Sequence, residues 1–346
     1  MRQFLVYVFV LYISNISVRA TTTDKVKFRE LDPVSKELIM KLFIGDLALF
    51  GDGAYLKPRN YKDDIDDFKN VKVRPDDVWV ATFPRSGTTL MQELVWLINN
   101  NFDYETAMKI ELTERYYFLE HPRNHNSTVE KNQEYARHMP TFDMMVNSPS
   151  RRFIKTHLPF SLLPGNLLDT AKLVYVARDP RDVAVSYYHY KKIVKREYSG
   201  DFKTFWNMFT RDLVVHCPFL PHIKEAWAQR HNPNMLFMFY EELIKDLPAA
   251  VDRVAKFFDK DITNEQNKIL CEHLNIKNFR KNTSVNPDWL NKGVEDLEKQ
   301  GFVRKGVAGD WHEHFDDEMI VQAQLWLCDG LNGTDLFFPT MTSCDV

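Results

Sequence analysis

Thr82-Phe83-Pro84-Arg85-Ser86-Gly87-Thr88-Thr89 is the stretch that decides how this chain of 346 residues reads. The apolar run Val78-Trp79-Val80-Ala81 before it has the character of a buried strand, and residues 90–98 after it have the spacing of a helix packed on one face. A strand, a tight turn and a helix start make an anion site, because the first amides of a helix lack intrahelical acceptors and its dipole favours negative charge. Gly87 permits close backbone approach, and Ser86, Thr88 and Thr89 add hydroxyl donors. Arg85 supplies a planar cationic fork suited to phosphate or sulfonate oxygens. The Gly-x-x-x-x-Gly-Lys-[Ser/Thr] spacing of a Walker A loop is absent, so the ligand has to be found from the rest of the chain.

Composition narrows the classes. At 40.8 kDa with 44% hydrophobic residues, the chain can bury a large core. A net charge of -3 and a pI near 6.4 give no global attraction for nucleic acid or an anionic membrane, so anion binding must be local. Cys217, Cys271, Cys328 and Cys344 show no zinc or redox spacing and read as free thiols. Residues 1–20 have a basic start at Arg2, an apolar stretch and small residues at Val18-Arg19-Ala20, which predicts a signal peptide cleaved after Ala20 or a short N-terminal anchor. The expected location is the secretory pathway, lumenal or secreted, with the cytoplasm as the alternative and membrane association only if the segment stays uncleaved. Asn126, Asn282 and Asn332 open glycosylation sequons.

Residues 21–77 read as a polar, loop-rich segment of the same domain as residues 78–346, and Asp63-Asp64-Ile65-Asp66-Asp67 within it as a solvated face. Residues 101–150 are weakly periodic and could form a substrate lid, with Met139, Met144 and Met145 suited equally to an apolar pocket, a core or a surface loop. Further strands are expected at 152–156, 172–177 and 235–240. The first leads into Lys155 and His157, the second into Arg178 and a helix carrying Ser186. Open α/β sheets bind ligands at the C-terminal ends of their strands, which brings these residues to one edge. Arg304-Lys305-Gly306-Val307-Ala308-Gly309-Asp310-Trp311 pairs cations with glycines, which suits a phosphate and equally a basic surface turn, and a closing helix is expected over 316–329. His312 and His314, two apart and without further ligands, do not make a metal site.

Four motifs in order, Thr-Phe-Pro-Arg-Ser-Gly-Thr-Thr, Lys-Thr-His-Leu-Pro, Val-Ala-Arg-Asp-Pro-Arg-Asp-Val-Ala-Val-Ser-Tyr and Arg-Lys-Gly-Val-Ala-Gly-Asp-Trp, resemble the cytosolic-type sulfotransferase family over residues 77–315. The resemblance implies a single α/β domain with a central, mostly parallel sheet, helices on both faces and a P-loop-like phosphosulfate-binding loop. It implies 3'-phosphoadenylyl sulfate as donor, no metal, and transfer to a hydroxyl or amine of a small-molecule acceptor such as a phenol, steroid or alcohol. By the same resemblance Arg85, Ser86, Gly87, Thr88 and Thr89 hold the 5'-phosphosulfate, and Arg178, Ser186, Arg304, Lys305 and Gly306 hold the 3'-phosphate. Tyr240 contacts the adenine. His157 is the general base, with Lys155 and Arg85 stabilising the transferring group.

Departures accompany the likeness. Arg85 stands where the family commonly has lysine, so its role is electrostatic rather than proton donation. Leu90 and Ile276 stand where aromatic residues commonly flank adenine, which leaves aliphatic walls. The family's usual dimer motif is not matched over 312–319, so the oligomeric state stays open. A catalytically weak or inactive nucleotide- or ligand-binding protein of the same fold is the competing reading. Hydrolysis of ATP or GTP is disfavoured by the missing lysine-bearing loop.

Overall fold

The computed structural model describes residues 25–121, 139–194, 197–287, 289 and 302–341. The predicted signal segment and the sequon at Asn126 lie outside them. Residues 25–77 are more regular than their polarity suggests. They hold β1 (Phe28–Arg29), α1 (Pro33–Leu42), β2 (Leu47–Phe50) and β3 (Tyr55–Pro58), with the strands paired antiparallel. The correction has a physical cause: Tyr55, Leu56, Phe50 and Phe68 are buried in the same core as the main sheet, so tertiary packing orders a segment whose own periodicity is weak. Asp64 and Ile65, expected on a solvated face, are buried, and Asp66 accepts the amide of Val26 at 2.7 Å.

The main sheet contains β4 (Val78–Thr82), β5 (Tyr117–Phe118), β6 (Phe153–Thr156), β7 (Lys172–Ala177) and β8 (Met235–Phe239) in the order β5-β6-β4-β7-β8. Every pairing is parallel. Parallel strands covered on both faces read as continuous apolar runs, which is why Val78-Trp79-Val80-Ala81 shows no alternation. The two faces still separate residue by residue: Trp79, Ala81, Leu173 and Tyr175 join one core, Val78, Val80, Val174 and Val176 the other.

Leaving β4, the chain enters α2 (Thr88–Asn99), then supplies β5 and β6 on one side of β4 and β7 and β8 on the other. The order therefore reverses at the C-terminal end of β4, where such sheets open a ligand crevice. α3 (Pro180–His189) follows β7, and α4 (Ile276–Lys281) and α5 (Asp317–Leu331) complete the elements that concern the site.

Met139 and Met145 are buried and Met144 is exposed, and none of the three lines the site cavity. Cys217 and Cys271 are free, but Cys328 is disulfide-bonded, which corrects the reading of four free thiols. Asn282 is buried, its Oδ1 accepting the Ser284 amide and hydroxyl, so it does not present a glycan acceptor, whereas Asn332 is exposed at the end of α5. No helix among the described residues is long and apolar enough to cross a membrane.

Candidate active site

Gly87, at φ +101°, caps α2 and turns the chain out of β4. Thr82 and Thr88 close the loop, their hydroxyls 2.7 Å apart. A Cβ on Gly87 would lie 2.5 Å from Cδ2 of Tyr240, and one on Gly306, at φ +67°, would lie 2.5 Å from Cδ1 of Ile276. Both glycines are therefore required by close approach as well as by backbone conformation.

A cavity of about 560 Å³ opens at this sheet edge. Arg85, Gly87, Thr88, Thr89, Leu90, Lys155, His157, Arg178, Ser186, Tyr240, Ile276, Arg304, Lys305 and Gly306 all line it. Ser86 is the predicted residue that does not; its Oγ is buried without a hydrogen-bond partner among the described residues.

The cations are interlocked. Nε of Arg85 donates to Ser186 Oγ at 3.2 Å, its Nη2 donates to the Phe302 carbonyl at 3.1 Å, and its guanidinium lies over the Phe302 and Tyr190 rings at 4.6 and 5.1 Å. The side chain assigned to the 5' end thus turns toward Ser186, on the side assigned to the 3'-phosphate. Burial lowers the Arg85 pKa to about 10, with Arg178 and Arg304 adding to the shift, and the group remains charged at neutral pH. Arg178 donates to the carbonyls of Arg85 and Val307 at 3.2 and 2.9 Å and covers the Tyr240 ring at 4.5 Å. Arg304 and Lys305 both pair with Asp310. The Nε atoms of Arg178 and Arg304 are buried without acceptors among the described residues. Unpaired buried donors on two guanidiniums beside a helix start fit a ligand carrying two anionic groups.

His157 stands just beyond β6. Its Nδ1 donates to the Thr82 carbonyl at 2.9 Å and its amide donates to Glu120. Burial, then the neighbouring charge of Lys155, holds its pKa well below the ordinary value. The ring is neutral at pH 7 and Nε2 is its unprotonated nitrogen. Lys155 lies 4.5 Å from the centre of the Phe118 ring, which itself packs edge-on to His157.

A buried polar layer underneath escaped notice in the sequence. Lys57, fully buried on β3, donates to the His157 carbonyl at 3.2 Å and to Nδ1 of His216 at 2.7 Å. Glu120 accepts the Thr156 hydroxyl at 2.8 Å, and His222, bonded to Tyr175, reaches the His157 carbonyl at 3.2 Å. Burial lowers the Lys57 pKa to about 8, opposed by Glu120, and raises that of Glu120, opposed by Lys57. Lys57 shares a strand face with Tyr55, so an inward lysine was readable only from the pleat of a strand that the sequence did not announce. Glu120 and His216 carry no local signature.

The description "Sulfotransferase domain" matches residues 75–335 of the chain. A retinol dehydratase crystallised with retinol and PAP superposes with a TM-score of 0.83 and 40% identity, covering 91% of this chain and 99% of that one. The same kind of enzyme with androsterone and inactive cofactor PAP gives a TM-score of 0.82 and 39% identity over the same shares. A luciferin sulfotransferase of Photinus pyralis is 29% identical over 307 residues, 84% of this chain and 81% of its own. A domain match over most of the chain, with likeness to solved relatives running almost from end to end, means that the chain belongs to the sulfotransferase family.

Proposed function

We propose that this sulfotransferase moves the sulfonate of 3'-phosphoadenylyl sulfate to the hydroxyl of a small lipophilic alcohol or phenol, with His157 as general base. The observation that carries the reading is the His157 imidazole, neutral and with Nε2 free of hydrogen bonds among the described residues, in the same cavity as the Arg85, Arg178 and Arg304 guanidiniums. The donor supplies an activated sulfur whose bridging oxygen leaves with the electron pair of its bond to sulfur. His157 Nε2 takes the hydroxyl proton as the oxygen bonds to sulfur. Lys155 and the first amides of α2 meet the negative charge that accumulates on the sulfonate and leaving oxygens, and Arg85, turned toward Ser186, adds its charge from the 3'-phosphate side. Arg178, Ser186, Arg304, Lys305 and Gly306 hold the 3'-phosphate, and Tyr240, Leu90 and Ile276 enclose the base. Phe118, Tyr61 and Tyr116 line the cavity and suit an apolar acceptor.

Residues 21–77 belong to the same domain in this reading, supported by their share in the common core and by Lys57. Entry into the secretory pathway is supported by residues 1–20 and by the disulfide at Cys328, since disulfides persist in oxidising compartments. Four reactive thiols on the unreduced, denatured protein would contradict that location.

The test of function is transfer of labelled sulfonate to a panel of phenols, steroids and isoprenoid alcohols, run beside binding of 3'-phosphoadenosine 5'-phosphate. Binding of the nucleotide with transfer to none of them would favour an inactive binder. A second reading, net dehydration of an allylic alcohol, is favoured by 40% identity to a retinol dehydratase. In that case the sulfate ester loses sulfate with the C–O electrons while a saturated carbon attached to the conjugated system loses a proton to a base. A product with one double bond more than the alcohol and no sulfate attached would distinguish it from simple transfer.

A further inference from the structure

Two histidines border the cavity with opposite hydrogen-bonding polarity. The His157 and His216 ring centres are 5.7 Å apart, and both residues line the cavity. In each ring Nδ1 is engaged, and Nε2 has no hydrogen bond to the described residues. The partners differ in kind. His157 Nδ1 lies 2.9 Å from the Thr82 carbonyl, which only accepts, and 3.2 Å from the Thr82 hydroxyl, which can accept as well as donate, so the closer carbonyl sets the proton on Nδ1 and Nε2 presents a lone pair. His216 Nδ1 faces the Lys57 ammonium, which only donates, so the lone pair is on Nδ1 and the proton is on Nε2. His216 is held in this orientation from both sides. Its amide donates to the Leu56 carbonyl at 2.7 Å, and its backbone sits at φ +77°, a conformation uncommon for a residue with a side chain.

A hydroxyl group has one proton and two lone pairs, and an acceptor nitrogen beside a donor N–H matches it. We propose that His216 is a specificity-determining residue whose Nε2–H donates to one lone pair of the acceptor hydroxyl, directing the hydroxyl proton at His157 Nε2. The second lone pair of the oxygen is left to attack sulfur. Burial first, then Lys57 and His157, pushes the His216 pKa well below the ordinary value, which keeps the ring neutral and its single N–H fixed by Lys57. Because a hydrogen bond to the attacking oxygen does not make it more nucleophilic, His216 orients and selects, and its removal appears in KM more than in kcat. An ammonium group, without a lone pair, is rejected. The inference rests on the proposed sulfonation of a hydroxyl and names what recognises that hydroxyl.

The experiment uses the full chain saturated with 3'-phosphoadenosine 5'-phosphate and two steroids. Androsterone carries a 3-hydroxyl. 5α-Androstane-3,17-dione carries a 3-ketone there, which accepts but cannot donate. Titration of the dione should show saturable binding to the wild type, about tenfold weaker binding to His216→Leu, and a change of less than about threefold in His216→Gln, which keeps an N–H donor, and in His157→Ala. Nucleotide affinity checks that each variant is folded. Equal dione affinity in the wild type and His216→Leu, or no saturable dione binding to the wild type, overturns the proposal. Androsterone sulfonation is followed in parallel. Its absence in the wild type counts against the sulfonation reading, and the dione titration still reads His216 because it requires no turnover.

Discussion

His157 Nδ1 lies 2.9 Å from the main-chain oxygen of Thr82, an atom with no proton to give, so the imidazole has spent its own proton on the turn that opens the anion loop. The proposed base and the loop are thereby positioned by one residue. His157→Ala should lower kcat by about 10²–10⁴-fold, the range for loss of a general base, while nucleotide affinity stays within about threefold. Steady-state kinetics beside calorimetric titration with 3'-phosphoadenosine 5'-phosphate decide it, and an unchanged kcat would place the base elsewhere.

The acid limb of the pH profile follows from the same ring. A base works when unprotonated, and burial together with Lys155 favours the unprotonated form, so activity should persist as the pH falls through 6.5 and fail only well below it. Lys155→Met removes a positive neighbour, which raises the His157 pKa and should move the limb of kcat/KM toward higher pH, in addition to any loss of rate. A limb that stays in place would show that Lys155 does not act on the imidazole.

Gly87→Ala should abolish measurable nucleotide binding. The new Cβ would meet the Tyr240 ring at 2.5 Å in a left-handed backbone conformation that disfavours side chains by about 1–2 kcal/mol. Gly306→Ala should weaken binding less, because the atom it meets is the end of the flexible Ile276 side chain. Nucleotide titration of both variants checks the order of the two effects.

Away from the cavity, Arg152 and Asp77 form a bidentate pair, with Nε to Oδ1 at 2.7 Å and both side chains almost wholly enclosed. The pair ties the start of β6 to the residue before β4. Asp77→Ala leaves a guanidinium buried without its counter-charge and should destabilise the fold by about 3–5 kcal/mol, read from the urea midpoint.

Four of the five strands of the main sheet are legible because parallel strands bury both faces and so appear as unbroken apolar runs, as at Val78-Trp79-Val80-Ala81 and Lys172-Leu173-Val174-Tyr175-Val176-Ala177, whereas β5, two residues long in the weakly periodic 101–150 segment, leaves no such run. Residues on loops at the ends of those strands, such as Arg85, His157 and Arg178, were legible through contiguous motifs, and they converge on one cavity. Lys57 and Glu120 were not. Each is an isolated charge on a short strand or just after one, and its meaning depends on a neighbour 100 residues away in one case and 37 in the other. Residues 21–77 read as loop-rich for a related reason: Tyr55 and Leu56, on β3, are tied by hydrogen bonds to Glu225 and to the Cys217 carbonyl, contacts that local periodicity does not encode.

Arg85, Arg178 and Arg304 press like charges together, strongly enough that the last two add to the lowered Arg85 pKa. Carboxylates meet only part of this charge, with Asp182 3.7 Å from Arg178 and Asp310 beside Arg304. A dianion entering among them relieves a repulsion already built into the folded chain, and whatever binds only the folded state raises its resistance to heat. The melting temperature of this protein is therefore a gauge of the anions around it: it should climb with micromolar nucleotide, climb less with millimolar inorganic phosphate or sulfate, and respond to neither once Arg178 is replaced by methionine.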